Sequence, residues 1–417
     1  MGQLIVCGQK PLFGDVNING AKNAAVAIIP AAVCAGGLCR IENLPHIEDV
    51  VCLVEAMEHI GADVRFIDDH TLELDTSAVA EHRALHDSLK KIRASYYLAG
   101  ALLGRFKKAE VHLPGGCNFG SRPIDLHVKG FEMLGAEVSI EHGVIKASAD
   151  RLTGARIYLD TASVGATINI MLAAVYAEGE TIIENAAKEP HVVDTAGFLN
   201  TMGANIKGAG TDVIRVRGVQ RMRGAEYTII PDQIEAGTYM IAGAITGGRV
   251  TVRNIIPKHM ESLVAKLKEM RCAIDEGDDF ITVSRGEPLI GANIKTTTYP
   301  GFPTDLQPQT TALLSIAEGD SILTEDVWEN RFQYIDEIRK FGADITVKGR
   351  VAVIRGRQDL TGAQVAATDL RAGVAMVIAG LAAKGETVID EVKYIDRGYE
   401  NIEQKLAALG ADIRRLD

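Results

Sequence analysis

One stretch of the sequence combines a thiol with three glycines and an arginine: Pro114-Gly-Gly-Cys117-Asn-Phe-Gly-Ser-Arg122-Pro123. Glycines let a backbone turn its N–H groups inward and form a nest for an anion. A nearby arginine makes a thiol more acidic and therefore more reactive. The stretch is thus suited to a loop that carries a reactive cysteine. An ordinary glycine-rich turn with an inert cysteine is the alternative, and it is the commoner case when such a stretch is taken alone.

Four charged residues stand where apolar helices are predicted to begin or where a polar turn precedes a helix. Lys22 and Arg371 each open an uncharged helix, where a cation opposes the helix dipole unless an anion binds there. Asp305 opens a long uncharged stretch and is either a helix cap or a base. Arg397 lies in a polar turn, where a surface ion pair with Asp396 is an equally good interpretation.

Composition excludes several classes of protein. The net charge of −11 argues against a nucleic-acid partner and requires a locally positive cleft for any anionic substrate. The six cysteines have no paired spacing, which favours reduced thiols and a cytoplasmic location. The longest uncharged apolar run, residues 372–383, is too short for a membrane span of about 20 residues, so no membrane insertion is expected. No zinc spacing, P-loop or dinucleotide fingerprint is present, so neither a metal nor a cofactor is predicted.

A short phrase of the type Leu-Gly-Ala-Asp-Ile returns about every 70 residues along the whole chain. Each copy follows an amphipathic stretch with apolar residues at helical spacing. The second position of the phrase is therefore predicted to end a helix in the left-handed conformation and to lead into a strand. These positions are Gly61, Gly135, Gly203, Arg271, Gly342 and Gly410.

A second phrase has a similar period and consists of a polar turn followed by a helix that is apolar nearly all round. A helix of that kind must be buried. Each repeat is therefore predicted to place one helix inside and one amphipathic helix outside, with short strands between them. The six openings are marked by Lys22, Arg93, Gly165, Ala236, Gln307 and Arg371. The predicted fold class is α/β, with six repeats of about 70 residues arranged as two domains of three, buried helices and strands outside.

The assembled motifs resemble the enolpyruvyl transferases over essentially the full length of the chain, and most closely the branch that uses UDP-N-acetylglucosamine. The resemblance implies an inside-out α/β barrel in two domains, here residues 21–230 and residues 1–20 with 231–417. The motifs that carry it are Gly20-Ala-Lys22-Asn23-Ala24, Pro114-Gly-Gly-Cys117 with Arg122-Pro123, Ser163-Val164-Gly165-Ala166-Thr167, Phe302-Pro303-Thr304-Asp305, Glu329-Asn330-Arg331-Phe332, Thr368-Asp369-Leu370-Arg371 and Ile395-Asp396-Arg397-Gly398-Tyr399.

The resemblance implies transfer of the enolpyruvyl group of phosphoenolpyruvate to the 3-hydroxyl of UDP-N-acetylglucosamine, with release of phosphate. This is the first committed step of peptidoglycan synthesis. The reaction runs by addition and then elimination through a tetrahedral intermediate, so it needs an acid, a base and a cationic clamp. Closure of the two domains over the substrates is expected from cations carried by both of them.

Site residues carry over from the family one by one. Cys117 corresponds to the loop cysteine taken as the general acid and alkylated by the inhibitor fosfomycin, and Asp305 to the carboxylate that accepts the sugar hydroxyl proton. Lys22, Arg122 and Arg397 correspond to positions that hold phosphoenolpyruvate. The remaining expected site residues are Asn23 and Asp369 at the reaction centre, Arg93, Arg331 and Arg371 around it, and Val327 as a further substrate-binding position. For the nucleotide sugar, Arg122, Pro123, Ile124, Asp125 and Leu126 correspond to the family's uridine-binding segment, and Ser163, Val164 and Gly165 to the turn whose backbone N–H groups bind the diphosphate.

Two positions depart from some relatives, because Thr161 and Gln233 stand where those relatives have a lysine and an arginine. Each change removes a positive charge without touching the acid, the base or the clamp. Two rival functions remain: the sister transferase that makes 5-enolpyruvylshikimate-3-phosphate, and a non-catalytic UDP-sugar-binding regulator. Cys117 and the uridine-binding segment argue against the first rival, and joint retention of Cys117, Asp305, Lys22 and Arg397 argues against the second.

Overall fold

The computed structural model describes residues 2–90, 92–113, 124–357 and 359–416, apart from the side chain of Arg93. The chain divides into two compact units. We call Gly20–Ile230 the continuous unit, and Met1–Asn19 together with Pro231–Asp417 the split unit. Within the described residues, each unit contains three four-stranded sheets.

All six described sheets repeat one pairing pattern. In each sheet one edge strand pairs parallel with its neighbour, and the other neighbouring strands pair antiparallel. In spatial order, the sheets of the continuous unit are β14(Glu226–Thr228)/β3(Leu38–Glu42)/β5(Thr71–Asp75)/β4(Asp63–Asp68), β6(Arg83–Ala84)/β7(Lys108–His112)/β9(Val144–Ser148)/β8(Glu137–Glu141) and β10(Arg156–Tyr158)/β11(Glu180–Glu184)/β13(Val213–Arg217)/β12(Asn205–Lys207). Those of the split unit are β16(Ala273–Glu276)/β17(Phe280–Ser284)/β15(Arg249–Arg253)/β2(Phe13–Asn17), β18(Ile294–Thr296)/β19(Asp320–Glu325)/β21(Val351–Arg355)/β20(Asp344–Lys348) and β22(Gln364–Ala366)/β23(Glu386–Asp390)/β1(Gln3–Cys7)/β24(Asp412–Leu416).

The chain passes from one unit to the other twice, after Asn19 and after Ile230, and two strand pairings account for this. In the split unit β2 pairs parallel with β15, so the N-terminal segment completes a sheet whose other strands come more than half a chain later. In the continuous unit β14 pairs parallel with β3 and returns the chain to the first repeat of that unit. Each unit is therefore closed by a strand that is distant in sequence.

One helix of each repeat is buried and the other is amphipathic. The buried helices are α1(Lys22–Ala31), α3(Tyr97–Phe106), α5(Val164–Ala174), α7(Gln233–Thr246), α9(Gln307–Leu314) and α11(Leu370–Ala382). The outer helices are α2(Glu48–His59), α4(Asp125–Met133), α6(Pro190–Thr201), α8(Glu261–Glu269), α10(Ile335–Lys340) and α12(Ile402–Ala408). Short 3-10 helices cover Ala32–Ala35, Asp87–Lys90, Arg93–Tyr96, Pro257–Met260, Thr304–Leu306, Arg331–Tyr334 and Val392–Tyr394. The predicted fold class, with three repeats in each unit, buried helices and strands outside, is confirmed.

Small residues let the buried helices approach one another closely. A Cβ added to Gly100 of α3 would lie 2.4 Å from the backbone oxygen of Asn169 in α5, so glycine is needed at this crossing. The core of each unit is built around its three buried helices.

The repeated phrase has the predicted conformation. All six second positions have positive φ, including Arg271 at +70°, where glycine is replaced. Among the described residues, none of the helices is long and apolar enough to cross a membrane.

Candidate active site

In the split unit, Asp305 lies beside two buried arginines. It belongs to the 3-10 helix Thr304–Leu306 that leads into α9. Arg371 donates to Oδ2 of Asp305 from Nε at 3.2 Å and from Nη2 at 3.1 Å. Arg331 Nη2 lies 3.6 Å from Oδ1. The carboxylate is 30% exposed, whereas the arginine side chains are 3% to 4% exposed. The two cations therefore fix a carboxylate that is still open to solvent.

Arg371 is held at the N-terminus of α11 by its neighbours. Asp369 is the N-cap of that helix, and its Oδ1 accepts from the backbone N–H of Arg371 at 2.8 Å and of Ala372 at 3.1 Å. The guanidinium carbon lies 5.5 Å from the centre of the Tyr399 ring. Burial acts to lower the pKa of Arg371, but Tyr399, Asp305 and Asp232 more than offset it and raise that pKa. Arg371 therefore stays cationic.

A buried polar cluster holds Tyr399, whose ring lies against Arg371. The Tyr399 hydroxyl lies 2.8 Å from Thr238 Oγ1, and Gln309 Nε2 donates to Tyr399 at 3.3 Å and to Thr238 at 3.2 Å. Thr238 and Gln309 come from α7 and α9, and Arg371 comes from α11. All three buried helices of the split unit therefore contribute side chains to this region. Buried polar groups that bond one another in this way specify a single arrangement.

Glu325 links the segment that contains Val327 to the Asp305 turn. Its Oε1 accepts from the backbone N–H of Val327 at 2.9 Å and of Trp328 at 3.0 Å, and its Oε2 accepts from the Thr304 hydroxyl at 3.0 Å. Glu325 is 1% exposed. Val327 is thereby held near the residue that precedes Asp305 in sequence.

Arg397 lies in the turn that follows the 3-10 helix Val392–Tyr394 and is half-buried. Its neighbour Asp396 accepts two hydrogen bonds from Arg415, at 2.7 Å and 3.0 Å. Arg415 also donates to Glu403, at 3.1 Å from Nη2. Asp396 therefore pairs with Arg415 of β24. The ion pair considered from the sequence was between Asp396 and Arg397.

In the continuous unit, Lys22 begins α1 and pairs with Asp49. Lys22 Nζ lies 2.8 Å from Asp49 Oδ2, and the side chains are 13% and 3% exposed. Asp49 lies in the first turn of α2. The cation that opposes the dipole of α1 therefore has a carboxylate partner within the same unit. Asn23, the next residue of α1, is half-buried.

The N-terminus of α5 carries three predicted residues together. Ser163 is the N-cap, and its hydroxyl accepts from the backbone N–H of Ala166 at 3.3 Å. Val164 and Gly165 form the start of the helix and are half-buried. A Cβ at Gly165 would lie 2.9 Å from the Tyr96 hydroxyl and 3.1 Å from His127 Nε2, so both side chains flank this turn.

The other predicted residues are placed in part. Ile124 is the N-cap of α4, Asp125 is exposed in its first turn, and Leu126 follows. Cys117, Arg122 and Pro123 lie outside the described residues, as does the side chain of Arg93. Of the two departures, Thr161 is exposed and Gln233 begins α7.

The sequence did not single out three residues that lie beside predicted site residues: Asp49 beside Lys22, Glu325 beside Val327 and His127 beside Gly165. Asp49 and His127 lie on outer helices, whose polar residues usually face solvent, yet both are buried. A signal was available for His127, since it directly follows the predicted uridine segment. In the parts of the chain that the structure describes, there is no group of three or more His, Cys, Asp or Glu that could hold a metal.

Comparisons with known proteins identify the family of the chain. The family model for EPSP synthase (3-phosphoshikimate 1-carboxyvinyltransferase) matches residues 6–406. The structure of the enolpyruvyl transferase NikO from Streptomyces tendae superposes with a TM-score of 0.90 at 27% identity, covering 99% of this chain and 98% of that one. EPSP synthase from Acinetobacter baumannii has a TM-score of 0.76 at 20% identity, covers 100% of both chains and supports the fold alone. The chain therefore belongs to the EPSP synthase family of 1-carboxyvinyltransferases.

Relatives that share more than half of its residues narrow the assignment within that family. The UDP-N-acetylglucosamine 1-carboxyvinyltransferase of Clostridium botulinum is 58% identical over 417 residues, and the match covers 100% of both chains. UDP-N-acetylglucosamine 1-carboxyvinyltransferase 2 of Bacillus subtilis is 53% identical over 416 residues, covering 100% of this chain and 97% of that protein. The resemblance stated from the motifs is confirmed.

Proposed function

We propose that this chain transfers the enolpyruvyl group of phosphoenolpyruvate to the 3-hydroxyl of UDP-N-acetylglucosamine and releases phosphate, the first committed step of peptidoglycan synthesis. The observation that carries the proposal is the full-length match, at 58% identity, to a transferase named for that nucleotide sugar. The Asp305 carboxylate between Arg371 and Arg331 supports it, because the reaction needs a fixed carboxylate beside cations. The reaction takes place in the cytoplasm and needs no metal or cofactor.

The chemistry divides among the residues by their charge. Asp305 accepts the proton of the sugar hydroxyl while that oxygen attacks C2 of phosphoenolpyruvate, and Cys117 delivers a proton to C3. The resulting tetrahedral intermediate then loses a proton from C3 and expels phosphate, which restores the double bond. Lys22, Arg122 and Arg397 hold the phosphate and carboxylate of phosphoenolpyruvate throughout both steps.

The remaining site residues bind and orient the substrates. The backbone N–H groups at the start of α5 bind the diphosphate of the nucleotide sugar, as helix N-termini commonly do. The segment from Arg122 to Leu126 binds uridine. Arg93, Arg331, Arg371, Asn23, Asp369 and Val327 complete the site. Asp369 acts through Arg371, because it caps the helix that presents that arginine.

The test is phosphate release from phosphoenolpyruvate with each acceptor in turn. We expect release that requires UDP-N-acetylglucosamine, and a loss of at least about 100-fold in kcat for Asp305→Asn, since general base catalysis contributes 10²–10⁴-fold. Asp320→Asn is the matched control, because that carboxylate is exposed at the start of β19. Release with shikimate 3-phosphate alone would make the chain the sister transferase. Binding of UDP-N-acetylglucosamine with no release from either acceptor would make it a non-catalytic UDP-sugar binder.

A second test concerns the thiol. We expect fosfomycin to alkylate Cys117 and to inactivate the enzyme, more readily when the nucleotide sugar is bound. Burial raises the pKa of Cys34 to about 12 and of Cys39 and Cys272 to about 11, so these thiols are poor nucleophiles at neutral pH. Modification of one of these three cysteines before Cys117, seen by peptide mass spectrometry, would contradict the role given to Cys117.

A further inference from the structure

We propose that His127 is a further ligand-binding residue, which donates a hydrogen bond from Nε2–H to the diphosphate of a nucleotide bound at the N-terminus of α5. The inference rests on the proposed function in one respect, namely that the nucleotide sugar binds at this helix. It assigns both a residue and a tautomer.

The tautomer follows from the contacts of Asn169 in α5. The Oδ1 atom of Asn169 accepts from the backbone N–H of Gly100 at 2.8 Å, and Nδ2 donates to the backbone oxygen of Tyr96 at 2.9 Å. A backbone N–H can only donate and a backbone oxygen can only accept, so the orientation of the amide is fixed. Asn169 Nδ2 also lies 2.8 Å from Nδ1 of His127, so Nδ1 must be the acceptor. A neutral imidazole with an accepting Nδ1 carries its proton on Nε2.

The Nε2 atom lies beside the start of α5. His127 is 7% exposed, and Nε2 lies 3.1 Å from the place where a Cβ of Gly165 would stand. Among the described residues, Nε2 has no hydrogen-bond partner. An N–H group without a protein acceptor donates to solvent or to a ligand, and an anion at this turn would supply the acceptor.

The helix supplies further donors at the same place. Helix α5 has eleven residues, and Ser163 caps the N–H of Ala166. The N–H groups of Val164 and Gly165 have no acceptor among the described residues. Four possible donors therefore lie around Gly165: two backbone N–H groups, the Tyr96 hydroxyl and His127 Nε2. An oxygen-rich anion such as a nucleoside diphosphate matches that set.

The donor is uncharged. Burial lowers the pKa of His127 to about 4, so the ring is neutral at physiological pH. The ring contacts Tyr96, at a centroid distance of 4.9 Å, and Asn169, so neither a carboxylate nor a cation is among these two neighbours. His127 therefore offers a hydrogen bond of fixed direction rather than a positive charge, at a site where Thr161 has already removed one cation found in some relatives.

The first experiment reads the ring directly in the wild-type protein. Histidine-selective ¹⁵N NMR should show His127 as the Nε2–H tautomer, and saturating UDP should shift its Nε2–H signal while uridine does not. His259, a half-buried histidine of the split unit whose pKa burial also lowers, is the internal reference and should not shift. An Nδ1–H tautomer, or a His127 signal unchanged by saturating UDP, would overturn the proposal.

The second experiment measures UDP binding by calorimetry. His127→Phe should weaken UDP binding about 10- to 100-fold, the usual loss for a hydrogen bond to a charged group. His127→Gln, whose amide nitrogen reaches the position of Nε2, should recover part of that loss. The KM for phosphoenolpyruvate should stay near the wild-type value in both variants. Wild-type affinity for UDP in a folded His127→Phe variant would contradict the proposal.

Failure of this inference can be distinguished from failure of the proposed function. A wild-type protein that binds UDP through His127 but transfers nothing from phosphoenolpyruvate would refute the proposed function and leave this inference standing. A protein that transfers the enolpyruvyl group normally, but whose His127 signal does not change on addition of UDP, would refute this inference and leave the proposed function standing.

Discussion

Removal of Lys405 tests the electrostatics of the split unit most directly. Lys405 Nζ lies 2.6 Å from Glu235 Oε1, and the backbone N–H of Asn19 donates to Oε2 at 3.0 Å. The Glu235 side chain is 6% exposed and that of Lys405 is 19% exposed. Burial raises the pKa of Glu235, and Lys405 opposes that rise. Lys405→Met therefore leaves a buried carboxylate without its cation.

The expected cost is large and depends on pH. Breaking a buried pair costs about 3–5 kcal/mol, which lowers the melting temperature of a unit of roughly 200 residues by about 6–20 °C. A group whose folded-state pKa is raised contributes stability below its unfolded pKa and loses it as pH rises through the folded value. The variant raises the pKa of Glu235 further, so its deficit should be greatest at neutral pH and should shrink as the pH falls towards about 4.5.

Calorimetric melting of wild type and variants across this pH range is the assay. Lys10→Met is the matched control, because its 2.8 Å pair with Asp412 is about half exposed and surface ion pairs contribute little to stability. The double variant Glu235→Gln/Lys405→Met should melt above Lys405→Met, since the buried carboxylate left without its cation is removed. A deficit that does not change with pH, or a melting temperature equal to that of wild type, would refute the reasoning.

Three further predictions concern single positions. Asp369→Ala should destabilise the split unit by about 1–2 kcal/mol through loss of the α11 cap, measured by urea unfolding, and should lower activity because Arg371 is no longer held. Gly165→Ala should cost about 1–3 kcal/mol, since its Cβ would lie 2.9 Å from the Tyr96 hydroxyl, and should raise the KM for the nucleotide sugar; an unchanged KM would contradict the placement. Burial raises the pKa of Asp194 from 3.8 to about 6, so this carboxyl stabilises the native state below about pH 4 and loses that contribution as pH rises through about 6. Asp194→Asn should therefore gain stability relative to wild type, by up to about 3 kcal/mol, between about pH 4 and pH 7 in urea unfolding.

The repeat architecture could be predicted because its signals are local. Apolar residues at helical spacing and a glycine at each helix end lie within a few residues of one another, so their pattern survives in the sequence whatever the rest of the chain does. The positive φ at Gly61 and its counterparts, and even at Arg271, follows from this local pattern. The strand pairings that close each unit could not be predicted in the same way, because β2 and β15 are far apart in the chain.

The candidate site was predictable in its residue types and only partly in its contacts. Lys22 stood out because a lysine at a helix N-terminus is electrostatically unfavourable, and the sequence suggested a bound anion as the compensation. The structure instead supplies Asp49 from the next helix at 2.8 Å. For Asp305, capping and catalysis could not be separated by sequence, whereas the structure shows Arg371 on its carboxylate. The roles given to Cys117 and Arg122 stay predictions, since both lie outside the described residues.

By itself, the sequence determined the six-fold repeat, the buried helices and the kinds of group available for chemistry, since each depends on residues that are close together in the chain. Only the tertiary structure decided which of those groups meet. The Asp305 and Arg371 pair spans 66 positions of the chain, and the tautomer of His127 depends on an asparagine 42 positions away. Such contacts depend on how helices pack, and a side chain's partners and proton positions follow from that packing rather than from its neighbours in sequence.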